Sequence, residues 1–329
     1  MSLAARHIAA NNSALNSTQL AGYLKASSDQ LRLDILRVLS HNAYSVLELC
    51  QLFAIRQSGM SHHLKVLAGA GLVATRREGN TIFYRRAPAS GLPELSELHR
   101  ELLTAIDQLP IDNQVALQME AVNRVRSETS QKFFAENAER FADNQDLIAS
   151  FSDYGPAIIE ILNSETTQRN SALEIGPGRG ELLPELSRLF DQVIALDNAE
   201  QILALAREFA AQERLDNVQF QQGDITKILG LEPVNCITLN MVLHHIAQPS
   251  ELFTRLSKLL LPGGVLLVTD LCEHQQDWVQ DSCGDLWQGF SEEELDKWAG
   301  DAGLVTSQAL FLALRNGFKI QLIIFRKPD

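Results

Sequence analysis

The stretch from Ala172 to Glu181 reads ALEIGPGRGE and constrains the fold more than any other ten residues. A short apolar run, typical of a buried strand, is followed by three glycines at alternate positions, and a helical pattern then runs from Glu181 to Phe190. Glycines at a strand-to-helix turn let the backbone approach a ligand closely. We therefore expect an open α/β sheet with a nucleotide-like ligand at this turn.

The residues around this turn narrow the choice of ligand. The next predicted strand, Val193–Leu196, ends in Asp197, 21 residues after Gly176, where a carboxylate can accept hydrogen bonds from both hydroxyls of an adenosine ribose. Glu181 occupies the place of the third glycine of a dinucleotide fingerprint. Glu174 would repel a pyrophosphate but suits the cationic amino group of a methionine. These residues favour S-adenosylmethionine over a dinucleotide.

The end of the chain carries two strand-like runs, Leu304–Leu314 and Phe318–Arg326, joined by Asn316 and Gly317. An Asn-Gly pair predicts a two-residue turn between antiparallel strands. A sheet with all its strands parallel, as in a dinucleotide-binding fold, does not need this hairpin. The hairpin therefore also favours a methyltransferase-like sheet.

Five segments of the second half of the chain carry further motifs, in the order EIGPGRG, VIALDNAEQILALA, FQQGDITKI, CITLNMVLHHI and LLLPGGVLLVTDL. Over about residues 150–329 they resemble the class I S-adenosylmethionine-dependent methyltransferases of small molecules. The resemblance implies a Rossmann-like sheet whose last strand is antiparallel. It also implies that S-adenosylmethionine, or S-adenosylhomocysteine as product or effector, is bound by Glu174, Gly176, Gly178, Gly180, Asp197, Asn198, Gly223, Asp224, Ile225, Asn240 and Met241.

Two histidines and four aromatic residues are candidates for contact with a methyl acceptor. His244 and His245 follow a predicted strand at the edge where ligands bind in open α/β sheets, so one is a candidate general base, or it satisfies a local hydrogen bond. The aromatic residues either line a substrate pocket or pack in the protein core. They are Phe134, Phe141, Trp278 and Trp287.

Residues 31–87 show a different pattern, which predicts three helices followed by two short strands. The third helix begins near Ser58 and divides into two faces. Its apolar face holds Met60, His63, Leu64 and Leu67, and its polar face holds Ser58, Ser61, His62 and Lys65. A helix that docks on one face and offers hydrogen bonds on the other is what insertion into a DNA major groove requires.

Basic side chains concentrate between residues 56 and 86, where the single acid is Glu78. The cations there are Arg56, Lys65, Arg76, Arg77, Arg85 and Arg86. Residues 1–110 carry a net charge of +3, whereas residues 111–329 carry −16. A dense basic patch within an acidic protein is typical of contact with nucleic-acid phosphates.

The segment RQSGMSHHLKVLAGAGLVATRREGNTIFYR resembles the recognition helix and wing of the ArsR-type winged helix-turn-helix regulators, and the likeness covers about residues 20–110. It implies a homodimer that binds a double-stranded DNA operator at two half-sites. The residues expected to contact DNA are Arg56, Gln57, Ser58, Ser61, His62, Lys65, Arg76, Arg77 and Arg85.

The metal sites familiar in that family are incomplete in this chain. Leu52 stands where the partner thiolate of Cys50 would be, and the last helix of the domain offers only His99. We therefore expect no metal, with Cys50 as a buried apolar residue and His99 as a surface or interface side chain.

These patterns predict a two-domain α/β protein. A DNA-binding and dimerisation domain (1–110) is followed by a helical connector or lid (111–150) and a methyltransferase domain (151–329). No apolar run is long enough for an export signal or a membrane span, and the four cysteines form no CxxC pair, so we expect a cytoplasmic protein with reduced thiols.

Two functions fit this organisation. In the first, the chain regulates its own operon and methylates a small molecule, senses S-adenosylmethionine or S-adenosylhomocysteine to control operator binding, or does both. In the alternative, it is a non-catalytic repressor that responds to S-adenosylhomocysteine and controls genes of the S-adenosylmethionine cycle or of methylation. DNA methylation is disfavoured, because residues 240–243, Asn-Met-Val-Leu, depart from the Asp/Asn-Pro-Pro-Tyr string of DNA methyltransferases.

Overall fold

The computed structural model describes residues 15–40, 42–88, 93–227 and 230–329, without the side chains of residues 93, 138–144, 280 and 281. The chain divides into two compact units. The first comprises Met1–Arg76 and Ile82–Gln118, and the second comprises Arg77–Thr81 and Met119–Asp329.

The first unit is a small helical domain with a three-stranded sheet of order β1-β3-β2. Its elements are α1 (Ser17–Ala26), α2 (Gln30–Val38), β1 (Tyr44–Ser45), α3 (Val46–Phe53), α4 (Gln57–Gly69), β2 (Val73–Glu78), β3 (Thr81–Arg86) and α5 (Ser96–Asp107), which a 3₁₀ turn, Pro93–Leu95, precedes. Capping residues mark where helices begin: Asn16 and Ser45 each form a capping box, and Asp29 accepts from the backbone of Arg32. The core is apolar, as the fully buried Ile35, Leu49 and Leu64 show.

The second unit begins within the 36-residue helix α6 (Asn113–Ile148) and continues as a doubly wound α/β domain. Its other helices are α7 (Phe151–Glu165), α8 (Leu183–Leu189), α9 (Glu200–Gln212), α10 (Pro249–Leu259), α11 (Trp278–Cys283) and α12 (Glu292–Asp301). Its strands are β4 (Ser171–Ile175), β5 (Gln192–Asp197), β6 (Val218–Gln222), β7 (Val234–Asn240), β8 (Leu260–Leu271), β9 (Val305–Ala313) and β10 (Lys319–Arg326).

The seven strands form one sheet in the order β6-β5-β4-β7-β8-β10-β9. Strands β4 to β8 pair in parallel, and β10 is antiparallel to both β8 and β9. Strands covered on both faces by helices need apolar side chains on both sides, and six of the seven residues of β7 are buried. The predicted Rossmann-like sheet with a reversed last strand is confirmed.

The hairpin that joins β9 to β10 differs from its prediction by one residue. Leu314 N donates to Phe318 O at 2.8 Å, so the loop consists of the three residues 315–317. Gly317 takes a φ of +92°, which suits the glycine position of a three-residue hairpin. The Asn316 amide donates to the carbonyls of Leu147 and Ile148 at the end of α6, a tertiary contact that the Asn-Gly pair does not reveal.

No helix in the described part of the chain combines the length and the apolar character needed to cross a membrane.

Candidate functional site

Helix α4 of the first unit presents one polar, exposed face. Its side chains Met60, Leu64 and Leu67 are buried, and His63 is half-buried. The opposite face is exposed and consists of Gln57, Ser58, Ser61, His62 and Lys65. The structure therefore places the polar residues of α4 where a major groove could receive them.

The basic residues around α4 differ in their surroundings. Arg56, at the start of α4, and Arg77 are exposed, and Arg77 Nε donates to Gly79 O at 2.8 Å. Arg76 and Arg85, on β2 and β3, are half-buried.

Arg86 has a structural role, although the sequence groups it with the phosphate-binding cations. Its guanidinium donates to both carboxylate oxygens of Asp107, at 3.0 and 2.7 Å, and to Leu36 O at 2.7 Å. Such a bidentate pair holds β3 against α2 and α5.

Two further predictions for the first unit are wrong. His99 is not a surface residue: it is 1% exposed, and its ring lies between Tyr23 Oη and Ala87 O, each at 3.1 Å. Burial lowers the pKa of His99. Cys50 is half-buried rather than buried, and burial raises the pKa of its thiol.

In the second unit, a pocket lies at the carboxyl ends of β4, β5 and β7, where ligands bind in open α/β sheets. Most residues expected to bind the cofactor line it, namely Glu174, Gly176, Gly178, Asp197, Asn198, Gly223, Asp224, Ile225, Asn240 and Met241. The strand register explains this convergence, because parallel strands end at one edge: Glu174 on β4 pairs with Ala195 on β5 and Thr238 on β7.

Glu174 and Asn240 bring buried polar atoms to this pocket. Glu174 is 2% exposed, and its Oε2, like both amide atoms of Asn240, has no hydrogen-bond partner among the described residues. Burial raises the pKa of Glu174 to about 8, and the nearby Asn240 side chain offsets the shift only in part. A cationic, hydrogen-bonding group would satisfy these atoms.

Asp197 ends β5, and its Oδ1 accepts from Ala199 N at 2.8 Å. Burial raises the pKa of Asp197 to about 6, and backbone hydrogen bonds from Ala199 and Asn198 oppose the shift. Asp224 Oδ1 accepts from Thr226 N and Oγ1, at 2.8 and 2.6 Å. Both carboxylates are thus held by turns of the backbone, and Asp224 Oδ2 also pairs with Lys227 Nζ at 3.5 Å.

The three glycines of the turn serve different purposes. At Gly176, with a φ of +67°, a Cβ would lie 2.4 Å from Val242 Cγ2. At Gly178, with a φ of +55°, a Cβ would meet nothing within 4 Å, which leaves space for a ligand. Gly180 does not line the pocket: its Cβ would press against Leu183 and α9, so it permits close packing of helices.

Met241 adopts a φ of +56° directly after β7 and lines the pocket. A non-glycine residue in this region is uncommon and strained, and such residues concentrate at binding sites. Met241 N donates to Thr269 O at 2.8 Å, so pairing with β8 holds the strained turn in place.

Of the four aromatic candidates, Phe134 lines the pocket, where it packs on Ile202 and stands edge-on to the His245 ring at 4.8 Å. Phe141 is among the residues whose side chains lie outside the described part of the structure. Trp278 and Trp287 do not line this pocket. Trp278 is 37% exposed, and Trp287 donates its indole N–H to Ile246 O at 2.8 Å.

His244 and His245 form a buried 3₁₀ turn, and their rings lie 4.0 Å apart. Burial lowers the pKa of His244, but the carboxylates of Asp270 and Asp285 outweigh it and raise this pKa to about 9. Burial and the charge of His244 lower the pKa of His245. Burial raises the pKa of Asp285 to about 7. His245 lines the pocket and His244 does not.

Part of the pocket wall is not predicted by the sequence patterns: α6 and α7 supply it with Ser130, Asp146, Phe151 and Tyr154. Phe151 and Tyr154 stand edge to face at 5.6 Å. Burial raises the pKa of Tyr154. A signal was present, because Ser150 and Asp153 form a capping box and mark the start of an aromatic helix just before β4.

Comparisons with known proteins agree with both units. A helix-turn-helix family model matches residues 28–76, and a methyltransferase family model matches residues 167–303. The transcriptional activator HlyU of Vibrio cholerae is 39% identical over 85 residues, which are 26% of this chain and 79% of that protein.

Two further similarities concern the second unit. The ubiquinone biosynthesis O-methyltransferase of Caulobacter vibrioides is 30% identical over 138 residues, 37% of this chain, so the chain spans about half (54%) of that relative's length. The solved 1,6-didemethyltoxoflavin-N1-methyltransferase of Burkholderia thailandensis has the same fold, with a TM-score of 0.51 and 19% identity over 63% of this chain and 91% of that one.

S-adenosylmethionine is the cofactor of this methyltransferase family, and the buried polar atoms of Glu174 and Asn240 beside an open glycine turn fit it. The chain therefore belongs to the ArsR-type winged helix-turn-helix regulators and carries, fused to that domain, a class I S-adenosylmethionine-dependent methyltransferase domain.

Proposed function

We propose that this protein is a DNA-binding transcriptional regulator whose second unit transfers a methyl group from S-adenosylmethionine to a small molecule. One observation carries the proposal: the pocket joins the strand-end residues, Glu174 and Asn240 among them, to a second wall built by α6 and α7. A site that only bound the cofactor would not need pocket-lining residues other than those that contact the cofactor.

Each strand-end residue has a task in this proposal. Glu174 accepts hydrogen bonds from the cationic amino group of the cofactor, and Asn240 fixes its orientation. Asp197 accepts from the ribose hydroxyls, and Asp224 with Ile225 holds the adenine. The glycines at 176 and 178 let the backbone approach these groups, since a side chain would occupy the space.

The cofactor supplies an electrophilic methyl group when bound, so the protein need only hold the acceptor in line and exclude water. Phe134 and Tyr154 are buried in the pocket wall and can exclude water. His245, whose pKa is lowered, can take a proton from an acceptor hydroxyl or amine.

The first unit carries the proposed regulatory function, which is operator binding. The exposed face of α4 and the surrounding cations contact an operator, and a homodimer reads two half-sites. We assign residues 1–110 to DNA binding and dimerisation, residues 111–150 to a connector that also covers the pocket, and residues 151–329 to the methyltransferase domain.

Gel shifts with the DNA upstream of the protein's own coding sequence test the regulatory half. We expect a specific complex at fixed salt whose affinity falls as the salt concentration rises. Incubation of the protein with methyl-labelled S-adenosylmethionine and a panel of small acceptors tests the enzymatic half. If the purified protein binds the cofactor but labels no acceptor, methyl transfer is wrong.

The second candidate is a sensor without turnover, which the fusion of a cofactor-binding domain to a DNA-binding domain favours. S-adenosylmethionine and S-adenosylhomocysteine would then change operator affinity to different extents. A coupling of about 1–3 kcal/mol between the sites would shift this affinity roughly 5–150-fold. Equal operator affinities with either ligand and without ligand would exclude the sensor.

A further inference from the structure

Three buried side chains at the edge of the pocket form a cluster, of which the proposed methyl transfer uses only His245. They are His244, His245 and Asp285, the group of potential metal ligands found among the described residues. One ligand atom from each lies within 4.8 Å of the other two. His244 Nε2 and His245 Nδ1 lie 3.8 and 3.9 Å from Asp285 Oδ1.

The Asp285 carboxylate lies beside two imidazoles but forms no hydrogen bond with either of them. The residue is 4% exposed, and within the described part of the chain neither of its oxygens has a hydrogen-bond partner. Buried polar atoms in native proteins are almost always satisfied, and a buried carboxylate without compensation is costly. A group that binds two imidazoles and a carboxylate would satisfy the carboxylate of this cluster.

His244 is already oriented for such a group. Asp270 accepts from His244 Nδ1 at 2.8 Å and from the backbone N–H of Leu243 and Leu271 at 2.9 and 2.8 Å, so both the carboxylate and the imidazole are held. With its proton on Nδ1, the ring turns the lone pair of Nε2 toward Asp285. A carboxylate behind a histidine is the usual support of a metal-ligating imidazole.

We propose that His244, His245 and Asp285 bind one divalent transition-metal ion at the edge of the pocket. Two imidazole nitrogens and one carboxylate suit zinc, cobalt(II) or iron(II) rather than magnesium or calcium. Bonds of about 2.0–2.2 Å place neighbouring donors roughly 3–3.6 Å apart, so the two separations from Asp285 Oδ1, 3.8 and 3.9 Å, need to contract by only a few tenths of an ångström.

The ion would replace the weak hydrogen bond between His245 and Gly284. His245 Nδ1 lies 3.3 Å from Gly284 O, a long hydrogen bond. In the metal-bound form the ring proton resides on Nε2, so His245 can accept a proton from an acceptor only in the metal-free form. Because His245 lines the pocket and three protein ligands leave coordination positions open, the ion can bind an oxygen or nitrogen of a pocket occupant. This site departs from the expectation of no metal, which considered only the ligand sets of the first unit.

Metal titration of the full chain tests the proposal without any knowledge of the acceptor. Protein freed of metal with a chelator is titrated with Zn²⁺, and Co²⁺ serves as the spectroscopic probe. We expect one ion per chain and a Co²⁺ spectrum of nitrogen and oxygen ligands without thiolate bands. Zinc should also raise the melting temperature of the protein.

Asp285→Asn and His244→Gln should each lower the affinity for zinc by at least about 100-fold, more than the loss usual for a supporting residue. The matched control is Asp301→Asn on α12, where the carboxylate is exposed and pairs with Lys297. Asp285→Asn should fold about as well as the metal-free protein, since the side chain keeps its size and loses only a buried charge.

Three outcomes would overturn the proposal. They are failure of the chain to bind Zn²⁺ or Co²⁺, undiminished binding and thermal stabilisation in the folded Asp285→Asn variant, and thiolate bands in the Co²⁺ spectrum.

Discussion

The exposed face of α4 and the pocket of the second unit differ in whether their polar side chains are exposed to water or buried. Ser58, Ser61 and Lys65 are exposed to water on α4, whereas Glu174 Oε2 and both carboxylate oxygens of Asp285 are buried without hydrogen-bond partners in the described structure. An exposed side chain loses little hydration free energy on binding, so it contributes modestly and its effect depends on salt. A buried, unpartnered group is already desolvated, so its partner is bound more selectively and with a marked pH dependence.

The strongest test of this contrast is Gly176→Ala. The added Cβ would lie 2.4 Å from Val242 at a φ of +67°, so the turn must move. Strain of about 3 kcal/mol predicts a loss of S-adenosylhomocysteine affinity of roughly 100-fold or more, measured by calorimetry. The control is Gly300→Ala on α12, where the Cβ meets nothing within 4 Å. Unchanged affinity in Gly176→Ala would show that the ligand does not depend on this turn.

Glu174→Gln should weaken S-adenosylmethionine binding by about 2–3 kcal/mol, or roughly 30–150-fold, because it removes a charge-assisted interaction in a dry site. Calorimetry measures the loss. Glu160→Gln, on the exposed face of α7, is the matched control. An affinity for Glu174→Gln equal to that of the control would remove Glu174 from the site.

The pH dependence of binding follows from the raised pKa of Glu174. With a pKa of about 8, the unligated carboxyl is mostly protonated at pH 6.5, so binding of a cation releases a proton. Affinity should therefore rise as pH increases from 6 toward 8. The folded pKa lies above the unfolded one, so the unligated protein should lose stability across that same range. Calorimetry in buffers of different ionisation enthalpy detects the proton, and Glu174→Gln should abolish its release.

Arg86→Ala separates a structural cation from a DNA-binding one within the first unit. Loss of the charge-assisted hydrogen bonds to Asp107 and Leu36 should lower the free energy of unfolding by about 2 kcal/mol, measured with denaturant. Arg56→Ala, at an exposed position, should change stability by less than about 0.5 kcal/mol but weaken DNA binding. Equal stability of the two variants would contradict the assignment.

Lys65→Ala should have the smallest effect. An exposed lysine that contacts phosphate should weaken binding to all DNA sequences to a similar extent, and it should reduce the slope of log affinity against log salt by about 1. Gel shifts over a range of salt concentrations measure the slope. Lys132→Ala, at an exposed position of α6, should leave it unchanged. An unaltered slope in Lys65→Ala would remove this residue from the DNA interface.

The sequence by itself determined the features that depend on neighbouring residues. The two faces of α4 follow from helical periodicity, since residues three or four apart share a side. The turn at residues 176–180 and the acids Glu174 and Asp197 follow from strand ends and glycine spacing. The reversed last strand was predictable because a hairpin is local, although its loop is one residue longer than the Asn-Gly pair predicts and Asn316 contacts the end of α6.

Only the tertiary structure decided which polar residues are buried together. His99 lies against Tyr23, 76 residues away, and Arg86 against Asp107 and Leu36. Asp285 joins His244 from a different element of the second unit. Local patterns report periodicity and turns, which span a few residues. Burial and electrostatic pairing depend on which distant segments the packed strands and helices bring within a few ångströms, and no short stretch of sequence contains that information.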